Sequence, residues 1–202
     1  MNPTALVLLD YFGIAVFAVS GALLAAEKRQ TLVTFIFFAV VTGVGGGTLR
    51  DLLIGAPVFW VHANATLLIC IAAALIVWLL SRRWFAGRAL LWFDAAGLAA
   101  YATYGAAKAL GYGVAPVPAF AMGVMTACVG GIIRDVLAGE PSILMRPELY
   151  VTAGALSAGL FVVLTLAGLV VWVAAAVAII AGFALRGAAI ARGWSLPQYR
   201  DE

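Results

Sequence analysis

Two arginine–aspartate pairs, Arg50-Asp51 and Arg134-Asp135, stand beside long stretches empty of charge. Each follows a run of small residues, Thr42-Gly43-Val44-Gly45-Gly46-Gly47 in one case and Thr126-Ala127-Cys128-Val129-Gly130-Gly131 in the other. Adjacent glycines inside a helix each cost about 1 kcal/mol relative to alanine and permit a kink. A kink frees backbone carbonyls, which lipid tolerates only where protein or a water-filled cavity meets them. Oxygens at the end of a half-helix suit a cation. The chemistry expected of these residues is a pore or solute cavity lined by both kinks, with one charged pair near each mouth. A packing explanation stands beside it: Gly43 to Gly47 is a small-xxx-small pattern of the kind that lets helices approach closely.

Other ionisable residues admit two readings each. Asp10 and Asp94 sit a few residues inside the start of apolar runs, where carboxylates are functional candidates. They would equally serve as helix-start caps or as partners of Arg134 and Arg50. Lys108, one turn from the end of a run, either snorkels outward or sets a positive barrier in a pore. His62 is the single histidine and is expected at a membrane interface, while Cys70 and Cys128 lie in apolar runs without CxxC spacing and read as buried thiols. No HExxH, GxSxG or P-loop pattern occurs, and the carboxylates are dispersed, so enzymatic chemistry and a metal or other cofactor are not expected.

The elements that must position these residues follow from composition. Of 202 residues, 65% are hydrophobic and 10% charged, with mean hydropathy +1.11. Soluble domains carry roughly 25% charged residues, so a water-soluble domain and a disordered chain are both excluded. The net charge of +3 comes from scattered Lys and Arg rather than a basic face, which argues against a nucleic-acid partner. No Asp, Glu, Lys or Arg occurs between Arg29 and Arg50, between Asp51 and Arg82, between Lys108 and Arg134, or from Leu149 to Leu185. A spanning helix needs about 20 apolar residues. The spacing predicts helices over 6–26, 32–54, 61–80, 90–110, 117–139, 148–166 and 170–190, with the last long stretch folding back near Thr165 to Gly168. Asp10 and the lack of a basic start argue against a cleaved leader. Lys28, Arg29, Arg82, Arg83, Arg88, Arg186, Arg192 and Arg200 fall on one side, with Arg134 and Arg146 toward it. The positive-inside rule then puts the amino terminus outside and the carboxyl terminus in the cytoplasm. Trp60, Trp84, Trp92, Trp172 and Trp194 flank the spans as an aromatic belt does.

A shift of 84 positions superposes Asp10 on Asp94, Gly13 on Gly97, Gly21 on Gly105, Thr42 on Thr126 and Gly46-Gly47 on Gly130-Gly131. The same shift superposes Arg50-Asp51 on Arg134-Asp135, Gly55 on Gly139 and Pro57 on Pro141, with no gap. Each copy holds three spans, an odd number, so the second enters the membrane upside down. The expected fold is all-α: one transmembrane domain over 1–202, repeat one about 6–80, repeat two about 90–166, and a seventh helix about 170–190 outside the duplication. Helices two and five are expected to kink at their glycines.

This constellation resembles the trimeric intracellular cation channel family in its prokaryotic branch. The resemblance runs from about Asp10 to the seventh helix. It implies a homotrimer in the inner membrane, surrounded by lipid, whose subunits each hold a potassium-permeable pore between the repeats. By position, the family's hinge glycines correspond to Gly45, Gly46, Gly47, Gly130 and Gly131. Val129 departs from the pattern, standing where Gly45 stands in the first copy, which puts a symmetric pore in doubt. The residues themselves also accommodate a secondary transporter of a small zwitterion such as glycine, built on the same inverted-repeat plan, or a helix-packing scaffold.

Overall fold

The computed structural model describes residues 3–80 and 88–198; Arg82, Arg83, Trp84 and Arg200 lie outside the described residues. Among the described residues seven α-helices follow one another: α1 Pro3–Glu27, α2 Leu32–Leu53, α3 Asn64–Leu79, α4 Ala89–Gly111, α5 Pro116–Leu137, α6 Val151–Leu166 and α7 Val171–Arg192, with one 3-10 turn at Ile143–Met145. They match the seven expected spans, and the fold-back between α6 and α7 is made by Gly168 at φ +83. The segment Val7–Glu27 of α1, and α2, α5 and α7, are long and apolar enough to cross a membrane. The 23-residue α4 carries Asp94 and Lys108 within it. Helices α3 and α6 have 16 residues each, about 24 Å of rise against a hydrocarbon core of about 30 Å.

The duplication is written into the helix ends. The chain leaves α2 through Gly55 and α5 through Gly139, both at φ +68. In each case the next amide returns to the aspartate carbonyl, Ala56 N to Asp51 O at 2.8 Å and Glu140 N to Asp135 O at 3.0 Å. This closure satisfies the last helical carbonyls with a residue in the left-handed region, which glycine enters without strain. Helices α1 and α4 end alike, on Arg29 at φ 53 and Gly113 at φ 78, again 84 positions apart.

Helices α1 and α4 pack on one another at the centre; α1 also carries α2 and α3, α4 carries α5, α6 and α7, and α2 packs on α5 across the repeat boundary. The amino-terminal face thus gathers the start of α1 and the ends of α2 and α4, and the opposite face the ends of α1 and α5 and the start of α4. The interior is built from small residues of α4, Ala95 to Ala109, against Ile14, Phe17 and Ala18 of α1. Small side chains give close helix approach where no hydrophobic drive separates protein from lipid.

Candidate functional site

At the α2–α5 crossing, the glycines let one backbone touch the other. A Cβ at Gly46 would collide with the carbonyl oxygen of Thr126, and one at Gly130 with the carbonyl oxygen of Thr42. Thr42 and Thr126 in turn sit against glycines of the first helix of their own repeat. A Cβ at Gly21 would lie 2.6 Å from Thr42 Oγ1, and one at Gly105 would lie 2.6 Å from Thr126 Oγ1. These four contacts are related two-fold. Cα–H groups facing carbonyls at such crossings contribute weakly but add shape complementarity. Both α2 and α5 stay helical without interruption through these residues. At Gly46 and Gly130 the missing side chain makes room for the neighbouring helix.

On the amino-terminal face, the α2 C-terminus carries Arg50 and Asp51, whose side chains are fully buried. Arg50 Nε donates to Asp51 Oδ1 at 2.8 Å. Lys108 reaches across from α4 and donates to Asp51 Oδ2 at 2.9 Å. The amide of Phe59, on the α2–α3 linker, adds a third contact to the same carboxylate at 3.1 Å. Arg50 Nη1 has no hydrogen-bond partner among the described residues. Its guanidinium instead lies 5.0 Å from the centre of the Tyr104 ring and 5.9 Å from that of Phe59, where ring quadrupoles offset part of the lost hydration. Asp10 accepts a hydrogen bond from Tyr101 at 3.2 Å.

On the opposite face, the α5 C-terminus repeats the motif with different partners. Arg134 Nε donates to Asp135 Oδ1 at 2.9 Å and Nη1 to Asp94 Oδ1 at 2.7 Å. Nη1 also donates to Ser20 Oγ of α1 at 2.8 Å. The Ile143 amide holds Asp135 Oδ2 at 3.0 Å, as Phe59 holds Asp51 at the other end. A cavity of about 280 Å³ opens beside this cluster, bordered by Glu27, Arg88, Arg134, Asp135, Glu140 and Arg146. At its rim Lys28 and Glu140 form an ion pair joining the loop after α1 to the loop after α5. The Lys28 ammonium holds the Glu140 carboxyl below the ordinary carboxylate range.

The same architecture is found in known proteins. The family model described as Glycine transporter matches residues 7–82 and again 91–167. A UPF0126 membrane protein of Vibrio cholerae is 39% identical over 159 residues, 76% of this chain and 65% of that protein, so the chain spans about two thirds of that relative's length. The UPF0126 inner membrane protein YadS of Escherichia coli is 38% identical over 150 residues, 72% of each chain. Among solved structures, the TRIC trimeric intracellular cation channel orthologue from Rhodobacter sphaeroides superposes at TM-score 0.87 with 43% identity, covering 95% of this chain and 100% of that one. A prokaryotic TRIC channel solved in 0.5 M KCl superposes at TM-score 0.86 with 28% identity, over 96% and 99% of the two chains. The chain belongs to the TRIC family.

In this TRIC-family chain, the structure brings together Arg50, Asp51 and Lys108 at one end and Arg134, Asp135 and Asp94 at the other. Asp94 pairs with Arg134 of its own repeat, while Asp10 accepts a hydrogen bond from Tyr101. Lys108 does not snorkel outward; it turns inward onto Asp51. Gly47 makes room for the Phe59 ring and Gly131 for the Tyr150 hydroxyl, while Gly45 faces Ile133. His62 is exposed in the α2–α3 linker. Arg186, counted from sequence as part of the basic tail, is instead buried inside α7 and pairs with Glu148 at 2.5 Å.

Sequence reasoning missed Ser20, Tyr104, Tyr101 and Phe59. A signal for two of them existed, because Ser20 and Tyr104 are themselves 84 positions apart. Each meets the arginine of the other repeat, Ser20 at Arg134 and Tyr104 at Arg50.

Proposed function

We propose that the protein is a passive monovalent-cation channel, permeable to potassium, in the inner membrane of a prokaryote. The observation that carries the reading is the match of the chain, over 95% of its length, to the whole of a TRIC cation channel orthologue at 43% identity. The pathway runs within each subunit along the interface of the two repeats, between the Arg50/Asp51/Lys108 cluster and the Arg134/Asp135/Asp94 cluster. Charged groups at membrane depth are costly and mark ion routes when they face a bundle interior, which is where both clusters lie. With Lys108 bonded to Asp51, the amino-terminal end is held in a closed arrangement, and conduction follows when that bond opens.

The subunit assembles as a homotrimer, and exposed apolar side chains such as Phe37, Leu68, Ile76 and Ile180 meet lipid or a neighbouring copy. The amino terminus is outside. Lys28, Arg88, Arg146 and Arg192 gather at the opposite face, the pattern of a cytoplasmic surface. No cofactor takes part; potassium is the permeant ion.

Reconstituted protein in a planar bilayer under a KCl gradient tests the reading. Unitary current steps that reverse near the potassium equilibrium potential are expected. Electrically silent, saturable uptake of labelled glycine, competed by unlabelled glycine, would instead make the protein a carrier.

A further inference from the structure

The two ends of the molecule share a backbone but not its side chains. Glu140 occupies the residue after the left-handed glycine that closes α5; the equivalent residue after α2 is Ala56, which is buried. Lys28 sits in the corresponding turn after α1; its equivalent after α4 is the uncharged Tyr112. The bond between Lys28 and Glu140 therefore has no counterpart at the amino-terminal face. There the lysine comes one turn earlier, at Lys108, where the first repeat has Leu24.

Both partners are fixed by local geometry. Lys28 N bonds Leu24 O at 3.0 Å, and Gln30 N closes the α1 terminus on Ala25 O at 3.0 Å. Glu140 N is held by Asp135 O. Their side chains, 38% and 34% exposed, meet at the rim of the cavity that leads to Arg134 and Asp135. Asp135 is already taken by Arg134 and the Ile143 amide. The carboxylates left at the rim are Glu27 and Glu140, opposed by the guanidinium groups of Arg88 and Arg146. While Lys28 neutralises Glu140, the rim carries little net attraction for a cation.

We propose that Glu140 is the cation-attracting residue of this vestibule and that Lys28, bonded to it from the other repeat, sets how much of that attraction a permeating ion feels. The proposal rests on the channel reading and adds a residue pair that tunes conductance from one side only. A unit charge about 7 Å from an ion in water changes its local concentration about two- to threefold, and salt near 1 M removes the effect.

The test is unitary potassium current through the full-length protein in neutral-lipid bilayers at about 0.1 M and about 1 M salt. Lys28→Gln should raise the current entering from this face about two- to threefold at the lower salt, Glu140→Gln should lower it by a similar factor, and both should approach wild type at the higher salt. The charge-swapped pair Lys28→Glu/Glu140→Lys should return close to wild type. Equal changes in the same direction for both single variants would mean a mechanical clasp and would overturn the proposal, as would unchanged currents at low salt in a conducting protein. Absence of any current from the wild type would overturn the channel reading itself, and this inference with it.

Discussion

At one end of the repeat interface a single carboxylate, Asp51, is shared by two cations, Arg50 and Lys108; at the other a single cation, Arg134, is shared by two carboxylates, Asp94 and Asp135. The backbones that present them are duplicates, down to the left-handed glycines and the linker amides that hold Asp51 and Asp135. The difference teaches that duplication kept the sign of each buried group, Asp10 with Asp94, Arg50 with Arg134 and Asp51 with Asp135, and that one added lysine, Lys108 opposite Leu24, sets the ends apart. In the proposed cation pathway, Lys108 places at the amino-terminal end a positive charge that the other end lacks.

Substitutions that should strike both ends equally come first, because they probe the shared frame. Gly46→Leu and Gly130→Leu each drive a side chain into a carbonyl of the opposing helix. The penalty should exceed the roughly 1–3 kcal/mol typical of an overpacked core, because backbone cannot swing aside. Neither variant is expected to yield a monodisperse peak on size-exclusion chromatography; recovery of either at wild-type levels would contradict the packing role.

The next pair should separate the ends. Asp94→Asn removes one of two charged partners from a buried guanidinium and should cost on the order of 3 kcal/mol. Asp10→Asn exchanges one hydrogen bond from Tyr101 and should cost about 1 kcal/mol. Thermal unfolding in detergent reads the difference, and equal losses would mean that the two carboxylates are equivalent after all. Trp60→Phe gives a smaller effect: its indole donates to Thr48 Oγ1 at 2.8 Å, so the loss should be about 1 kcal/mol. Truncating the equivalent residue, the exposed Leu144, should cost less than about 0.5 kcal/mol in the same assay.

Much of this frame was legible in the sequence. Gaps in charge located the spans because charge at membrane depth is expensive, and the 84-residue offset of Asp, Gly, Arg and Pro exposed the repeat because those residues are uncommon there. Pairings between distant helices were not legible. Lys28 and Glu140 are 112 residues apart, and Arg134 meets Ser20 114 residues away; such contacts depend on how helices cross, which periodicity does not encode. The glycine runs were ambiguous for a physical reason, since the same absence of a side chain permits a break and permits a close crossing. At Gly46 and Gly130 the carbonyls of Thr126 and Thr42 fill the space that a side chain would take, so a close crossing is made there.

The central claim is that ions pass between the two clusters and that the lysine at the cation-rich end controls them. It is tested most directly by Lys108→Cys in planar-bilayer recordings, with charged thiol reagents added during the recording; the native Cys70 and Cys128 are buried. The account predicts that removing the lysine raises the potassium current, that a positively charged reagent lowers it again, and that a negatively charged reagent raises it further. Currents indifferent to both reagents, after mass spectrometry shows complete labelling, would place the ion route elsewhere.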